Sequence, residues 1–351
     1  MKRVLPLMLL ALLTACGASP TATTSPTAAS AADGTTPVVT TAPPSSGKPL
    51  NVVTTVSPVT NIIYNVGGDR ISLSGIVPEG TNSHTFEPAP SDAKKLAAAD
   101  LIFVNGLKLE EPTLKLAEAN KRADTEIIML GEQTIAPDQY QYDFSFPKEA
   151  GSPNPHLWPN PIYALRYAEI ARDALIKRDP AGADYYRKNY DAYKVRIDAL
   201  DAAIKATVAS IPEANRKLLT YHDSFAYFAP RYGMTVIGAI QPADFAEPSA
   251  QEVAQLITQI KKEKVPAIFG SEVFASPVLD QIGKEAGVRY VDTLRDDDLP
   301  GKPGDANHSY LGLMVEDMQI MAKALGGKPE LIANFDTTNV PGTDTTVEQQ
   351  Q

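Results

Sequence analysis

Apolar and polar positions along the chain fall into two alternating series. Short runs rich in Val, Ile and Leu, "NVVTTVS", "ISLSGIV", "ADLIFVNG" and "EIIML", occupy the first half; "KLLTYH", "MTVIGAI", "VPAIFGSEV" and "VRYVDTL" occupy the second. Stretches of helical length separate them, and strands alternating with helices predict parallel sheets of an α/β fold. Between the two series Tyr186, Tyr190, Tyr193, Ile197, Leu200, Ile204 and Val208 recur at steps of three or four residues. That is the period of an amphipathic helix, here from Tyr185 to Ala209. No Gly or Pro interrupts it, and Pro180 and Pro212 flank it as stops. The pattern predicts two lobes, each with a mainly parallel four-stranded sheet flanked by helices, joined by one long rigid backbone helix. The expected boundaries are 49–180 for the first lobe, 181–210 for the linking helix and 211–335 for the second lobe. Large hinge closure is not expected across so stiff a connection.

Both ends of the chain break the alternation. Residues 1–15 carry Lys2 and Arg3, a short apolar run and then Leu13-Thr14-Ala15 before Cys16. This reads as a signal peptide, too short for a membrane span, and its end resembles the lipidation site of bacterial lipoprotein precursors. Cys16 is the only cysteine, so once it is acylated no thiol remains for a disulfide or for catalysis. From Cys16 to residue 48 the chain is nearly all Ala, Ser, Thr, Pro and Gly, which offers too little apolar surface to offset ordering entropy. A flexible tether is expected there, and a frayed tail over 336–351. The net charge of −10 argues against a nucleic-acid partner and identifies no ligand.

Candidate chemistry rests on the four histidines, at 84, 156, 222 and 308. His84 follows the second apolar run in "PEGTNSHTFEP", His156 follows the fourth in "SPNPHLWPNP", and His222 ends the fifth in "LLTYHDSFAYF". In open α/β sheets ligands bind beyond the carboxyl ends of strands, so these loops can converge on a cleft between the lobes. An oxygen donor is then expected after the last run, where "VDTLRDDDLPG" supplies Asp296, Asp297 and Asp298. Imidazoles with a carboxylate make a mixed nitrogen and oxygen site for a divalent transition metal. Singly, each histidine reads as an exposed loop residue and the aspartate run as a solvated turn. No local metal motif joins them.

Longer stretches carry a family resemblance. "VVTTVSPVTNIIYNVGGDRISLSGIVPEGTNSHTFEPAPSDAKKLAAADLIFVNGLKLE", "NPHLWPNP", "RDPAGADYYRKNYDAY", "LLTYHDSFAYFAPRYGM", "AIFGSEVF" and "DDDLPG" resemble, in order, the zinc and manganese solute-binding proteins of bacterial ABC importers. The resemblance implies a rigid bilobal receptor that holds one divalent metal between its lobes. It implies His84, His156 and His222 as ligands, with an aspartate as the fourth. That family's aspartate loop reads differently from "DDLPG", so Asp297 is preferred, with Asp296 and Asp298 one register step away. His308 lies where the family keeps no ligand and is expected at the surface. The long His-rich loop of some zinc-specific members is missing from "GEQTIAPDQYQYDFSFPKEAGSPN".

Three imidazoles and one carboxylate fit tetrahedral Zn²⁺; Mn²⁺ prefers more oxygen donors and remains the alternative. A site filled by four protein ligands leaves no open position for a water nucleophile, which favours carriage over catalysis and a protein that is not an enzyme. The competing reading is a zinc hydrolase with water in place of Asp297 and Glu272 or Glu110 as base. In the receptor reading either glutamate orients a ligand imidazole, and Trp158 packs to fix the His156 loop. A third reading, an organic-ligand receptor, would leave three histidines converging without purpose. The resemblance further implies an ABC permease and its ATPase as partners, a monomer, and an extracytoplasmic location on a bacterial membrane through lipid on Cys16, at a cell surface or in a periplasm.

Overall fold

The computed structural model describes residues 47–241, 246–273 and 277–341. The leader, Cys16, the tether as far as 46, and 342–351 lie outside the described residues. All eight apolar runs are strands. In the first lobe β1 (Leu50–Thr54), β2 (Ile71–Gly75), β3 (Leu101–Val104) and β4 (Glu126–Met129) form a sheet of order β2-β1-β3-β4. In the second, β5 (Lys217–Thr220), β6 (Thr235–Ala239), β7 (Ala267–Ser271) and β8 (Arg289–Leu294) repeat the arrangement as β6-β5-β7-β8. Every pairing is parallel, so the carboxyl ends of all strands in a sheet face one way and their exit loops gather along one edge.

Parallel strands bury both faces, and adjacent side chains divide between two layers. Val52 joins the core shared with the linking helix, while its neighbour Val53 packs outward with Ile76, Leu96 and Ile102. The outer layer of the first sheet is closed by α2 (Asp92–Ala98) and α3 (Glu111–Asn120). α8 (Ala250–Glu263) and α9 (Pro277–Ala286) do the same for the second, around Leu256, Ile260, Leu279 and Ile282. α8 opens on a capping box: Ser249 Oγ accepts from Glu252 N at 3.3 Å, and Glu252 Oε2 accepts from Ser249 N at 2.7 Å.

The linking helix, α6 (Ala183–Ala209), runs 27 residues, roughly 40 Å at the α-helical rise. It starts after a short turn at Pro180–Gly182 and ends before Pro212, the two stops read from the sequence. Its buried stripe of Tyr186, Tyr190, Tyr193, Ile197, Leu200, Ile204 and Val208 packs on α1 (Ser57–Gly67), α5 (Pro161–Arg178) and α10 (Tyr310–Leu325). One continuous apolar cluster contains Val52 and Leu101 of the first sheet, Ile197 and Leu200 of this helix, and Leu218 and Phe269 of the second sheet. Moving one lobe against the other would open that cluster, which gives physical content to the expected rigidity.

The segment from Asp336 departs from the frayed tail expected over 336–351. Over 336–341 the chain crosses α6 and docks on the first lobe: Asn65 Nδ2 donates to Asn339 Oδ1 at 2.9 Å, and Val340 N donates to Asn65 Oδ1 at 2.8 Å. Arg196 reaches the Thr338 carbonyl and Ser309 Oγ the Thr337 carbonyl. Polar composition misleads here because the segment satisfies its backbone through side chains of other elements.

Candidate metal centre

The loops after β2 and β5, which carry His84 and His222, and the segment leading into α5, which carries His156, bring three histidines to one point. His84 Nε2 and His222 Nε2 each lie 3.2 Å from His156 Nε2, and one ring nitrogen from each of the three falls within 4.8 Å of the others. His156 is fully buried and His222 nearly so. Residues separated by 72 and 66 positions in the chain thus meet through folding alone.

Asparagine side chains brace the loops that carry His156 and His84. His156 N donates to Asn154 Oδ1 at 2.9 Å, and the same oxygen stands 2.9 Å from His156 Nδ1. That contact places the ring proton on Nδ1 and turns the Nε2 lone pair inward. Asn154 is held in turn, its Nδ2 donating to Asp143 Oδ2 at 2.7 Å and to the Asp223 carbonyl at 2.6 Å. His84 N donates to Asn82 Oδ1 at 2.9 Å, a second Asx turn of the same kind. Both asparagines stand two residues before a histidine, in "NSH" and "NPH". The sequence reading passed over that repeat. Phe146, also passed over, lies tilted 5.4 Å from His84 and edge-on 5.6 Å from His156 on ring centroids, and Trp158 lies 5.1 Å from His156. These rings pack around the centre on the side of His156, while His84 is half-buried.

Charge is distributed unevenly within the cluster. Burial, followed by the neighbouring His222, pushes His84 down to about 3. The same causes, with His84 added, hold His156 well below the ordinary imidazole range. Both rings are therefore neutral and ready to donate at neutral pH. Burial also works against charge on His222, but the Asp296 carboxylate, with Oδ2 2.8 Å from His222 Nε2, overcomes it and raises the group.

The three aspartates have different tasks. Asp296 faces His222. Asp297 is equally buried; its Oδ2 accepts from Ser83 N at 3.3 Å, in the loop that carries His84. Asp298 turns away and accepts from Gly80 N through both oxygens, at 2.8 and 3.0 Å. The Oδ1 atoms of Asp296 and Asp297 are buried with no hydrogen-bond partner among the described residues, a costly arrangement that a cation would relieve. Three converging imidazoles beside two under-satisfied carboxylates fit a divalent transition metal.

Neither glutamate touches a histidine in its hydrogen bonds. Glu272 Oε1 instead accepts the backbone N–H groups of Asp296, Asp297 and Asp298 at 3.1, 3.2 and 3.0 Å, so it shapes the aspartate loop rather than an imidazole. Glu110 accepts from Asn105 N at 2.6 Å and Gly106 N at 3.1 Å, and Asn105 Nδ2 donates to the Pro155 carbonyl beside His156 at 3.0 Å. Trp158 does fix its loop: Nε1 donates to the Asp296 carbonyl at 2.8 Å. His308 corrects the surface expectation. It is 6% exposed, with Nδ1 3.2 Å from the Pro300 carbonyl and Nε2 3.8 Å from Glu79 Oε1. The turn at 301–308 folds this ring under the aspartate loop, apart from the cluster.

Comparison with known proteins places this geometry in a family. Residues 52–324 match the family described as zinc-uptake complex component A, periplasmic. The iron-binding protein YfeA of Yersinia pestis is 31% identical over 285 residues, covering 81% of this chain and 89% of that protein. The manganese ABC transporter substrate-binding lipoprotein PsaA of Streptococcus pneumoniae is 29% identical over 287 residues, covering 80% and 90%. Among solved structures, the periplasmic zinc-binding protein TroA of Treponema pallidum superimposes with a TM-score of 0.72 at 26% identity, covering 80% of this chain and 99% of that one. With its paired parallel sheets, long linking helix and matched span, the chain belongs to the zinc-uptake complex component A family.

Proposed function

We propose that this protein is the extracytoplasmic receptor of an ABC importer for one divalent transition metal, with His84, His156, His222 and the carboxylates of the Asp296–Asp297 loop as its ligands and Zn²⁺ as first choice. The observation that carries the reading is the convergence of three Nε2 atoms on one buried point, with a carboxylate oxygen 2.8 Å from one of them. Imidazole suits zinc, and zinc outcompetes manganese at nearly any nitrogen and oxygen site. Manganese is the second reading, favoured by the presence of two buried aspartates rather than one.

Carriage fits the glutamates better than hydrolysis does. A general base needs an oxygen facing a reactive water, whereas Glu272 Oε1 holds three backbone N–H groups and both oxygens of Glu110 hold one each. Lipid on Cys16 would anchor the receptor, the 16–48 tether would give it reach, and a permease with its ATPase would take the cargo. One acyl chain binds membranes only marginally, so stable anchoring needs the additional chains of a bacterial lipoprotein.

The test is metal content and competitive titration of the metal-stripped protein with Zn²⁺ and Mn²⁺, beside His222→Glu. One tightly held zinc per chain, retained against manganese and weakened in the variant, is the expected result. Equal retention of manganese would move the assignment to that ion, and no stoichiometric metal would sink the site.

A further inference from the structure

Resting on that receptor reading, we infer that Asp143 and Ser145 are positioning residues for the cargo ion, two side chains of one first-lobe turn that set the His156 and His222 loops against each other. The turn lies in the stretch between the first two histidines. It is closed on itself: Asp143 N donates to the Phe146 carbonyl at 3.0 Å, and Asp143 Oδ1 accepts from Ser145 N and from Phe146 N, each at 3.0 Å. The other oxygen, Oδ2, accepts from Asn154 Nδ2 at 2.7 Å, and Asn154 Oδ1 in turn meets both His156 N and His156 Nδ1 at 2.9 Å. Two residues on, the buried Ser145 Oγ accepts from Asp223 N at 3.0 Å, next to His222 and across the lobe boundary. Phe146 follows, its ring 5.4 Å from that of His84 and 5.6 Å from that of His156. Residues 143, 145 and 146 thus reach all three imidazoles or the residues that carry them, while Phe144 between them is 56% exposed.

The direction of each hydrogen bond gives the consequence. Asn154 holds the His156 proton on Nδ1 only while its amide oxygen faces the imidazole. That orientation is fixed from the far side, where Asp143 Oδ2 and the Asp223 carbonyl both call for the NH₂ group. Turned over, the amide would present NH₂ to the ring, Nδ1 would have to accept, and the proton would move to Nε2, the nitrogen that must face the ion. A carboxylate at 143 meets every demand because both of its oxygens accept. An amide there would set NH₂ either against Asn154 Nδ2 or against the Ser145 and Phe146 N–H groups. Ser145 acts on the other loop: without its hydroxyl the Asp223 N–H loses its acceptor in a buried place, and the main chain beside His222 loses a tie to the first lobe.

The experiment uses the full chain stripped of metal, wild type beside Asp143→Asn and Ser145→Ala, each checked for folding by circular dichroism. Long-range ¹H–¹⁵N spectra of the metal-free proteins at neutral pH read the ring tautomers, and four histidines keep those spectra sparse. Competition against a chromophoric chelator reads Zn²⁺ affinity. Wild-type His156 is expected as the Nδ1–H tautomer. Asp143→Asn should move part of it to Nε2–H and lose about tenfold to a hundredfold in Zn²⁺ affinity, the range for groups behind metal ligands. Ser145→Ala should shift the His222 ring signals and lose about tenfold. An Asp143→Asn protein that loses affinity with its His156 tautomer unchanged would overturn positioning by Asp143, since a merely structural role leaves the ring alone. Affinities equal to wild type in both folded variants would overturn the whole assignment. Because the tautomers are read without metal, a wild-type chain with the expected ring spectra that binds no Zn²⁺ would overturn the receptor reading and leave the hydrogen-bond assignment standing.

Discussion

The indole Nε1 of Trp158 donates to the main-chain carbonyl of Asp296 across 2.8 Å, with both residues buried. This bond ties the loop of one candidate ligand, His156, to the loop that carries the carboxylates, and so joins the two lobes at the centre. Trp158→Phe would keep an aromatic ring in the slot but leave that carbonyl without its donor. An unsatisfied buried acceptor costs about 1–3 kcal/mol. Urea unfolding of the metal-free protein should show a loss of that order, and zinc affinity should fall as the aspartate loop gains freedom. A variant as stable and as tight as wild type would show that the tie is incidental.

Glu272 offers a sharper test of how the aspartate loop is held. One of its oxygens accepts three consecutive backbone N–H groups, the role an anion plays in a main-chain nest. Burial, then the three neighbouring carboxylates, hold Glu272 well above the ordinary carboxyl range. A neutral acceptor is therefore tolerated, and Glu272→Gln should retain most of the metal affinity through its amide oxygen. Glu272→Ala removes the acceptor and should weaken binding by about tenfold to a hundredfold, as losses around metal ligands do. The comparison is made by competition against a chromophoric chelator, and equal affinities for the two variants would refute the role.

Glu110 gives the pH dependence a definite sign. Burial pushes its carboxyl up to about 7 despite hydrogen bonds from Asn105 N and Gly106 N. A carboxyl whose pKa is higher folded than unfolded stabilises the fold fully below the unfolded value near 4.5. That stability is lost as pH rises through about 7, because the native state must then hold a buried charge. Relative to Glu110→Gln, wild type should lose stability on the order of 3 kcal/mol across that window. Urea midpoints of the metal-free pair at intervals between pH 4.5 and 7.5 measure the difference, and parallel curves would contradict it.

How much of this was legible in the sequence depends on the scale of the feature. The strands declared themselves because buried parallel strands read as runs of Val, Ile and Leu, and α6 because its stripe of Tyr, Ile and Leu kept one period from end to end. His84 and His222 are legible as residues beyond strand ends, and the strand-end rule suggested a shared cleft; His156 instead stands at the entry to α5, and the family resemblance named all three, 72 and 66 residues apart, as ligands. Three consecutive aspartates are indistinguishable by composition; which faces His222 and which faces Gly80 is set by a loop anchored on Glu272, far away in sequence. The same limit hid the triple acceptor at Glu272. His308 and the 336–341 segment were misjudged for one reason: polar residues near the chain end look solvated until another element supplies their hydrogen bonds.

The 336–341 segment carries the last prediction. It leaves the second lobe after α10, and Asn65 on α1 receives it in the first, so it forms a second crossing between lobes already joined by α6. Asn65 is fully buried, donates to Asn339 Oδ1 and accepts from Val340 N, while its Nδ2 also meets the Asn61 carbonyl at 2.9 Å. Asn65→Ala would strand the Asn339 side chain and the Val340 N–H together. The loss should be about 1–3 kcal/mol in global stability, accompanied by faster amide hydrogen exchange over 337–341, since a segment held by few side chains opens locally before the core does. Metal affinity should stay within about threefold of wild type, because none of the bonds lost is shared with a candidate ligand and sites without shared partners act nearly independently. Unchanged exchange over 337–341 would mean that the segment is held by packing of Val340 and Pro341 rather than by Asn65, and a large loss of metal affinity would mean that the second crossing helps to set the spacing of the lobes around the ion.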